Sequence, residues 1–416
     1  SGRNSPHHAL HHPLSSTSKS RFYIRTFIVF AIPYFAGFDT AIYMASSLYF
    51  ADNWGKLPAF SVVTIPIAFP WGEEWAYTFH EPLSYFMFAS TIKLGLPLSS
   101  IPLLVVPFFS AITLLPFFLL VRQLSNGKTA MVATALLAFS PMQFRIMLDL
   151  YKNAIANFIL FCLLYFFLTE KSRTPYKSIA SATLLFATHI FTSALFVLAI
   201  GIHSITKKDS EELRKLALIV LAALLLSLAP IRVFNALPPI LYKLTTEKLT
   251  MSMTDVMREL DFGRVFFPLV PLAFFALPAL KDYRKHNFEL ALLLSTMVLA
   301  VPLIFLKGLH VSRPLFLLEF PLAMFAAISI RSFPRQAYYF LTAIAWLSWE
   351  TSFYVRVWYQ PWPEVWQALG RICEGMPEIY HAADLYSWLL YCLLFTIAAT
   401  CAYTIGNYLW KDREGR

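Results

Sequence analysis

Charge is what this sequence has least of. Asp, Glu, Lys and Arg make up only 14% of its 416 residues, against 58% hydrophobic residues, and the mean hydropathy is +0.58. A soluble globular chain of that length cannot hide so much apolar surface, so a bilayer is the expected solvent. Cysteine is scarce too. Of the 4 cysteines, Cys162, Cys392 and Cys401 fall inside apolar runs and Cys373 in a polar stretch, which offers neither a disulfide framework nor metal-ligand spacing. The sequence has no internal repeat and no inverted pair of halves. Between the apolar runs there is no room for a large soluble domain. The net charge of +10 would suggest nucleic acid as the partner of a soluble protein. Here most Lys and Arg sit in short breaks between apolar runs, where they report membrane sidedness, and no nucleic acid is expected.

What the sequence does have is a succession of apolar runs: 22–38, 101–121, 130–147, 153–169, 177–188, 191–205, 215–234, 265–280, 288–306, 314–330, 336–353 and 385–410. A span needs roughly 20 apolar residues, somewhat fewer where flanking residues snorkel, so about twelve transmembrane helices are expected. The fold class is an all-α polytopic membrane protein. Residues 1–20, rich in Ser, Pro and His, read as a disordered cytoplasmic tail, in part a cloning scar. Residues 21–410 form the transmembrane domain, and 411–416 a second cytoplasmic tail.

A further run, 82–97, is decided by parity. If it stays on the outer surface, the basic breaks around Arg21, Lys128, Lys171, Lys207, Lys281, Arg331 and Lys411 all fall on one side and carry most of the 34 basic residues. If it crosses, they scatter over both faces. Both termini are therefore expected in the cytoplasm, with outer segments 39–100, 235–264 and 354–384. The first of these opens with a moderately amphipathic helical pattern from Asp39 to Asp52, then a Pro-broken stretch, then His80-Glu81-Pro82-Leu83. Aromatic-rich helices of that kind lie in the membrane interface.

This topology gathers polar residues at the outer rim. Asp39 ends the first span, and Asp149-Leu-Tyr151-Lys152-Asn153 is the whole connection between two others. An acid at the mouth of a span is costly unless it meets water or a partner. His189 and Thr192 mark a second short turn, and Lys307, His310 and Arg313 a third. Basic residues on this face run against the positive-inside bias, and a phosphate is a natural partner for them, with Arg313 able to bind it bidentately. The plainer alternative pairs Arg313 with Glu319 or Asp149 for packing. Glu73-Glu74 reads as a solvated pair, the 209–212 acids as a charge cluster capping cytoplasmic helix ends, and the tryptophans of 358–366 as an interfacial belt.

In this order, the acid-terminated first span, the long first outer loop with interfacial helices, His80-Glu81-Pro82-Leu83, Ala138-Phe-Ser140-Pro141, Asp149-Leu-Tyr-Lys-Asn153, Thr188-His189 and Arg313-Pro-Leu-Phe with Pro321 resemble the GT-C superfamily of membrane glycosyltransferases. That superfamily includes protein O-mannosyltransferases, aminoarabinose transferases and oligosaccharyltransferases. The chain departs from it at Glu81, where members often carry Pro. The resemblance implies transfer of a sugar from a polyprenyl-phosphate donor to a hydroxyl of an acceptor lipid, glycan or protein at the outer or luminal face. It implies Asp39 as general base and Asp149 on the opposite wall, positioning acceptor, sugar or cation. It implies Arg313, His310, Lys307, Lys152, Tyr43, His80, Glu81 and His189 as substrate-binding residues, and membrane lipids as neighbours of the polyprenyl chain. Because Asp39 has no acidic neighbour, no metal is required; a divalent ion, Mg or Mn, between Asp39 and Asp149 is the alternative. The membrane is the plasma membrane in a prokaryote and the endoplasmic reticulum otherwise. A transporter or flippase for a lipid-linked saccharide, and a non-catalytic assembly subunit, remain the competing readings.

Overall fold

A computed structural model describes residues 40–52, 54, 62–65, 75–78, 82–97, 100–172, 174–227, 267–281, 285–304 and 315–358. The apolar runs at 22–38 and 385–410, and the expected outer loops at 235–264 and 354–384, lie wholly or largely outside them. The chain is a helical integral membrane protein. In order come α1 (Thr40–Asp52), β1 (Val62–Ile65), β2 (Trp75–Thr78), α2 (Pro82–Lys93), α3 (Val106–Leu124), α4 (Gly127–Ala138), α5 (Pro141–Asp149), α6 (Tyr151–Thr169), α7 (Tyr176–Thr188), α8 (Ile190–Lys207), α9 (Ser210–Leu226), α10 (Val270–Leu280), α11 (Asn287–Ile304), α12 (Glu319–Ser332) and α13 (Gln336–Trp358). Of the described helices, α3, α6 and α8 are long and apolar enough to cross a membrane by themselves.

Helix α6 is the hub. It is buried over more of its length than α3 or α8, and it packs on α3, α5, α7 and α8. Phe109 meets Phe158, and Phe117 meets Phe161 at 5.1 Å between centroids, so α3 and α6 run parallel. The six-residue connection 170–175 turns the chain back into α7, antiparallel to α6. The start of α3, the start of α6 and the end of α7 therefore share one end of the bundle, which is also where α1 and α2 pack.

Helix ends follow local chemistry. Asn126 caps α4 by accepting from the Thr129 N–H at 2.9 Å. Asp209 caps α9 by accepting from the N–H groups of Glu211 and Glu212, and Glu212 accepts from Ser204 at 3.1 Å. The expected capping cluster at 209–212 is thus in place. Between α6 and α7, the Glu170 carboxylate accepts from the backbone of Lys177 and Ser178 and from the Ser178 hydroxyl. Lys215 reaches over from α9 to donate to the carbonyls of Phe167 and Glu170, at 2.6 Å each. One acid and one base thus satisfy the start of α7 and the end of α6.

Three expectations change. The apolar run 130–147 breaks into α4 and α5, because Pro141 has no N–H to return to the preceding turn and Ser140 takes an extended backbone that caps α5. The first outer segment contains a two-stranded antiparallel sheet, with Val62 opposite Thr78 and Ile65 opposite Trp75, an element that a purely helical reading omitted. The helix at 40–52 forms, but its buried residues include Ser46 and Ser47 beside Tyr43, Leu48, Phe50 and Ala51, so burial does not divide polar from apolar as an amphipathic pattern would. The run at 82–97 forms a 12-residue helix of about 18 Å, too short to cross a hydrocarbon layer of about 30 Å.

Candidate functional site

Where α1, α2 and the start of α6 meet, four aromatic rings close on one another. Tyr43 of α1 stacks on Tyr151 at 5.1 Å with 19° between planes. Tyr85 and Phe88 of α2 flank it at 6.1 and 6.5 Å, and Phe88 meets Tyr151 edge-on at 6.3 Å. Phe50, two turns along α1, stacks on Tyr85 at 5.8 Å. Alternating stacked and edge-on geometry is what ring quadrupoles favour. The ammonium of Lys152 lies 5.6 Å from the centre of the Tyr85 ring, a cation–π contact.

Two of the residues expected to bind substrate, Tyr43 and Lys152, are thus brought together by folding. They sit beside the two expected acids along the chain: Asp39 precedes α1, and Asp149 ends α5 one residue before α6 begins. Asp39, His80, Glu81, Lys307, His310 and Arg313 lie outside the described residues, as does the Asp149 side chain. Among the described residues no group of three or more His, Cys, Asp and Glu could hold a metal ion.

His189 is placed at the same end, as the N-cap of α8. Its Nδ1 meets the Thr192 N–H at 3.3 Å and the Thr192 hydroxyl at 2.8 Å, and the residue is 7% exposed.

Three polar residues escaped the sequence reading. Arg145, one turn before Asp149 on α5, has its guanidinium 4.1 Å from the centre of the Phe316 ring; its signal was a basic residue inside the apolar run 130–147. From the sequence, Glu319 is only an alternative partner for Arg313. It is fully buried at the start of α12, where one carboxylate oxygen accepts from the Ser140 hydroxyl at 2.9 Å and the other from the Gln143 amide at 2.6 Å. Glu350 of α13 is 1% exposed. It accepts from the Trp346 indole N–H at 3.0 Å, while Oε2 has no hydrogen-bond partner among the described residues. An acid inside a membrane helix is a functional candidate by default, and single acids embedded in long apolar runs were the available signal for both.

No protein-family model matches this sequence, and no curated protein does. Solved structures do match. ArnT from Cupriavidus metallidurans bound to undecaprenyl phosphate superposes with a TM-score of 0.56 at 14% identity, over 86% of this chain and 76% of that one. ArnT from the same organism in the apo state gives 0.52 at 15% identity, over 95% of this chain and 76% of that one. At this level of identity the likeness is one of fold: the chain shares the fold of these ArnT structures.

Proposed function

We propose that this chain is an integral membrane glycosyltransferase that moves a sugar from a polyprenyl-phosphate donor to a hydroxyl of an acceptor glycan, lipid or protein. The observation that carries this reading is the fold shared with an ArnT structure that binds undecaprenyl phosphate. It is supported by the aromatic and cationic corner of Tyr43, Tyr85, Tyr151 and Lys152, which adjoins Asp149 in the chain.

In the proposed reaction the acceptor oxygen attacks the anomeric carbon. The bond from that carbon to the phosphate oxygen breaks, and the polyprenyl phosphate leaves with the electron pair. Asp39 takes the acceptor proton, which requires its carboxylate within hydrogen-bond reach of the hydroxyl. Asp149 positions acceptor or sugar. Arg313, with Lys307, His310 and Lys152, stabilises the charge growing on the phosphate, a contribution of roughly 3 to 4 kcal/mol per well-placed donor. The other substrate contacts are assigned to Tyr43, His80, Glu81 and His189. The reaction is proposed to need no metal and to run at the outer or luminal face, with both termini cytoplasmic.

The test is turnover by purified protein supplied with polyprenyl-phosphate sugars. Asp39→Asn is expected to abolish transfer while the protein remains folded; full activity in that variant would remove Asp39 as base. Translocation of a saccharide lipid in proteoliposomes without covalent product would favour a flippase instead.

A further inference from the structure

The geometry points to Glu319 as a positioning residue for this site: its carboxylate brackets α5 to the start of α12, and so fixes the segment that carries Asp149 against the segment that follows Arg313. This inference rests on the function proposed above.

The bracket has two arms. Ser140, the cap of α5, donates its hydroxyl to Oε2 of Glu319, and Gln143, in the first turn of the same helix, donates its amide to Oε1. Both donors and the acceptor are buried, at 0%, 5% and 0% exposure respectively. Ser140 also accepts from the Met142 N–H at 3.3 Å, so one hydroxyl links the helix start to the carboxylate.

The surroundings are close-packed and aromatic. Phe320, the next residue of α12, sits 4.6 Å from Phe161 of α6 and 6.0 Å from Phe117 of α3. Phe316, one turn earlier, lies under the Arg145 guanidinium. From Ser140 the nine residues of α5 rise about 13 Å to Asp149, and in the other direction five residues of chain separate Glu319 from Arg313. A rigid short helix anchored at its base transmits that anchor to its tip. Misplacing a catalytic group by about 1 Å through a distant change costs up to roughly a hundredfold in rate.

Three variants test this. Glu319→Gln keeps an acceptor for Ser140, and its amide pairs with that of Gln143 after a flip. Glu319→Leu keeps volume and leaves both donors buried without an acceptor. Gln143→Leu removes one arm only and serves where Glu319→Leu does not fold. Two measurements are made: hydrogen exchange over residues 141–149, and kcat and KM with the polyprenyl-phosphate sugar that the wild type accepts. Expected are faster exchange over 141–149 in both Leu variants and a kcat reduced about tenfold or more with donor KM within about threefold. Near-wild-type behaviour is expected of Glu319→Gln. Unchanged exchange in the Leu variants overturns the bracket. Faster exchange with unchanged kcat overturns the positioning of the site, and so does a Gln variant as impaired as the Leu variants, which would make the charge itself the requirement. A wild type that turns over no such donor defeats the proposed function instead, and the exchange comparison then decides the bracket alone.

Discussion

Tyr43 and Tyr151 stack ring on ring, 5.1 Å apart, although one belongs to the first described helix and the other to the sixth. Both are buried, at 3% and 0% exposure, and the contact joins the helix that follows Asp39 to the helix that follows Asp149. The stack therefore holds α1 against the start of α6.

If this pairing is energetic rather than incidental, Tyr43 and Tyr151 should couple. Tyr43→Leu and Tyr151→Leu are each expected to lower the thermal midpoint in detergent. The double variant should lose less than the sum, with a coupling of about 0.5 to 1.5 kcal/mol. Additive losses would mean that the rings merely lie side by side.

The turn between α6 and α7 should respond to acid. Burial alone would raise the Glu170 pKa, but the Ser178 hydroxyl, the backbone N–H groups of Lys177 and Ser178 and the charge of Lys215 outweigh it and hold the carboxylate below its ordinary value. A group whose folded pKa is depressed contributes stability that is present above its unfolded pKa and is lost as the pH falls through the folded one. Glu170→Gln should therefore lower the thermal midpoint at neutral pH by a small amount, since the group is partly exposed. That deficit should shrink as the pH falls below about 4.3, the ordinary glutamate value. A deficit constant across that range would assign the effect to packing.

Glu350 offers a change in the opposite direction. One of its oxygens has the Trp346 N–H and the other has no hydrogen-bond partner among the described residues. Replacing a buried carboxylate by its neutral isostere keeps the shape and removes the cost of holding charge away from water. Glu350→Gln is expected to leave the thermal midpoint unchanged or raise it, whereas Glu350→Ala should lower it by opening a cavity beside Trp346. A marked loss in the Gln variant would reveal a charged partner for this acid.

The sequence by itself determined that this chain lives in a membrane, and it located many helix ends. Apolar run length is a local property, and so are the caps written at Asn126, Ser140, His189 and Asp209, because each acts within a turn of its own position. It also marked Asp149-Leu-Tyr-Lys-Asn153 as the connection between two helices, although the residues from Tyr151 onward belong to α6, and the order of its short motifs resembled the GT-C superfamily. Tertiary structure alone decided which of these positions meet. Tyr43, Tyr85 and Tyr151 are aromatic residues of unremarked spacing until three helices converge. Glu319 read from the sequence only as one alternative companion for Arg313, and the structure shows Ser140 and Gln143 donating to its two oxygens. Such contacts cross long stretches of chain, and nothing in the local pattern of either partner encodes which distant group will satisfy a buried donor or acceptor; the packing of α3, α4 and α12 makes that choice.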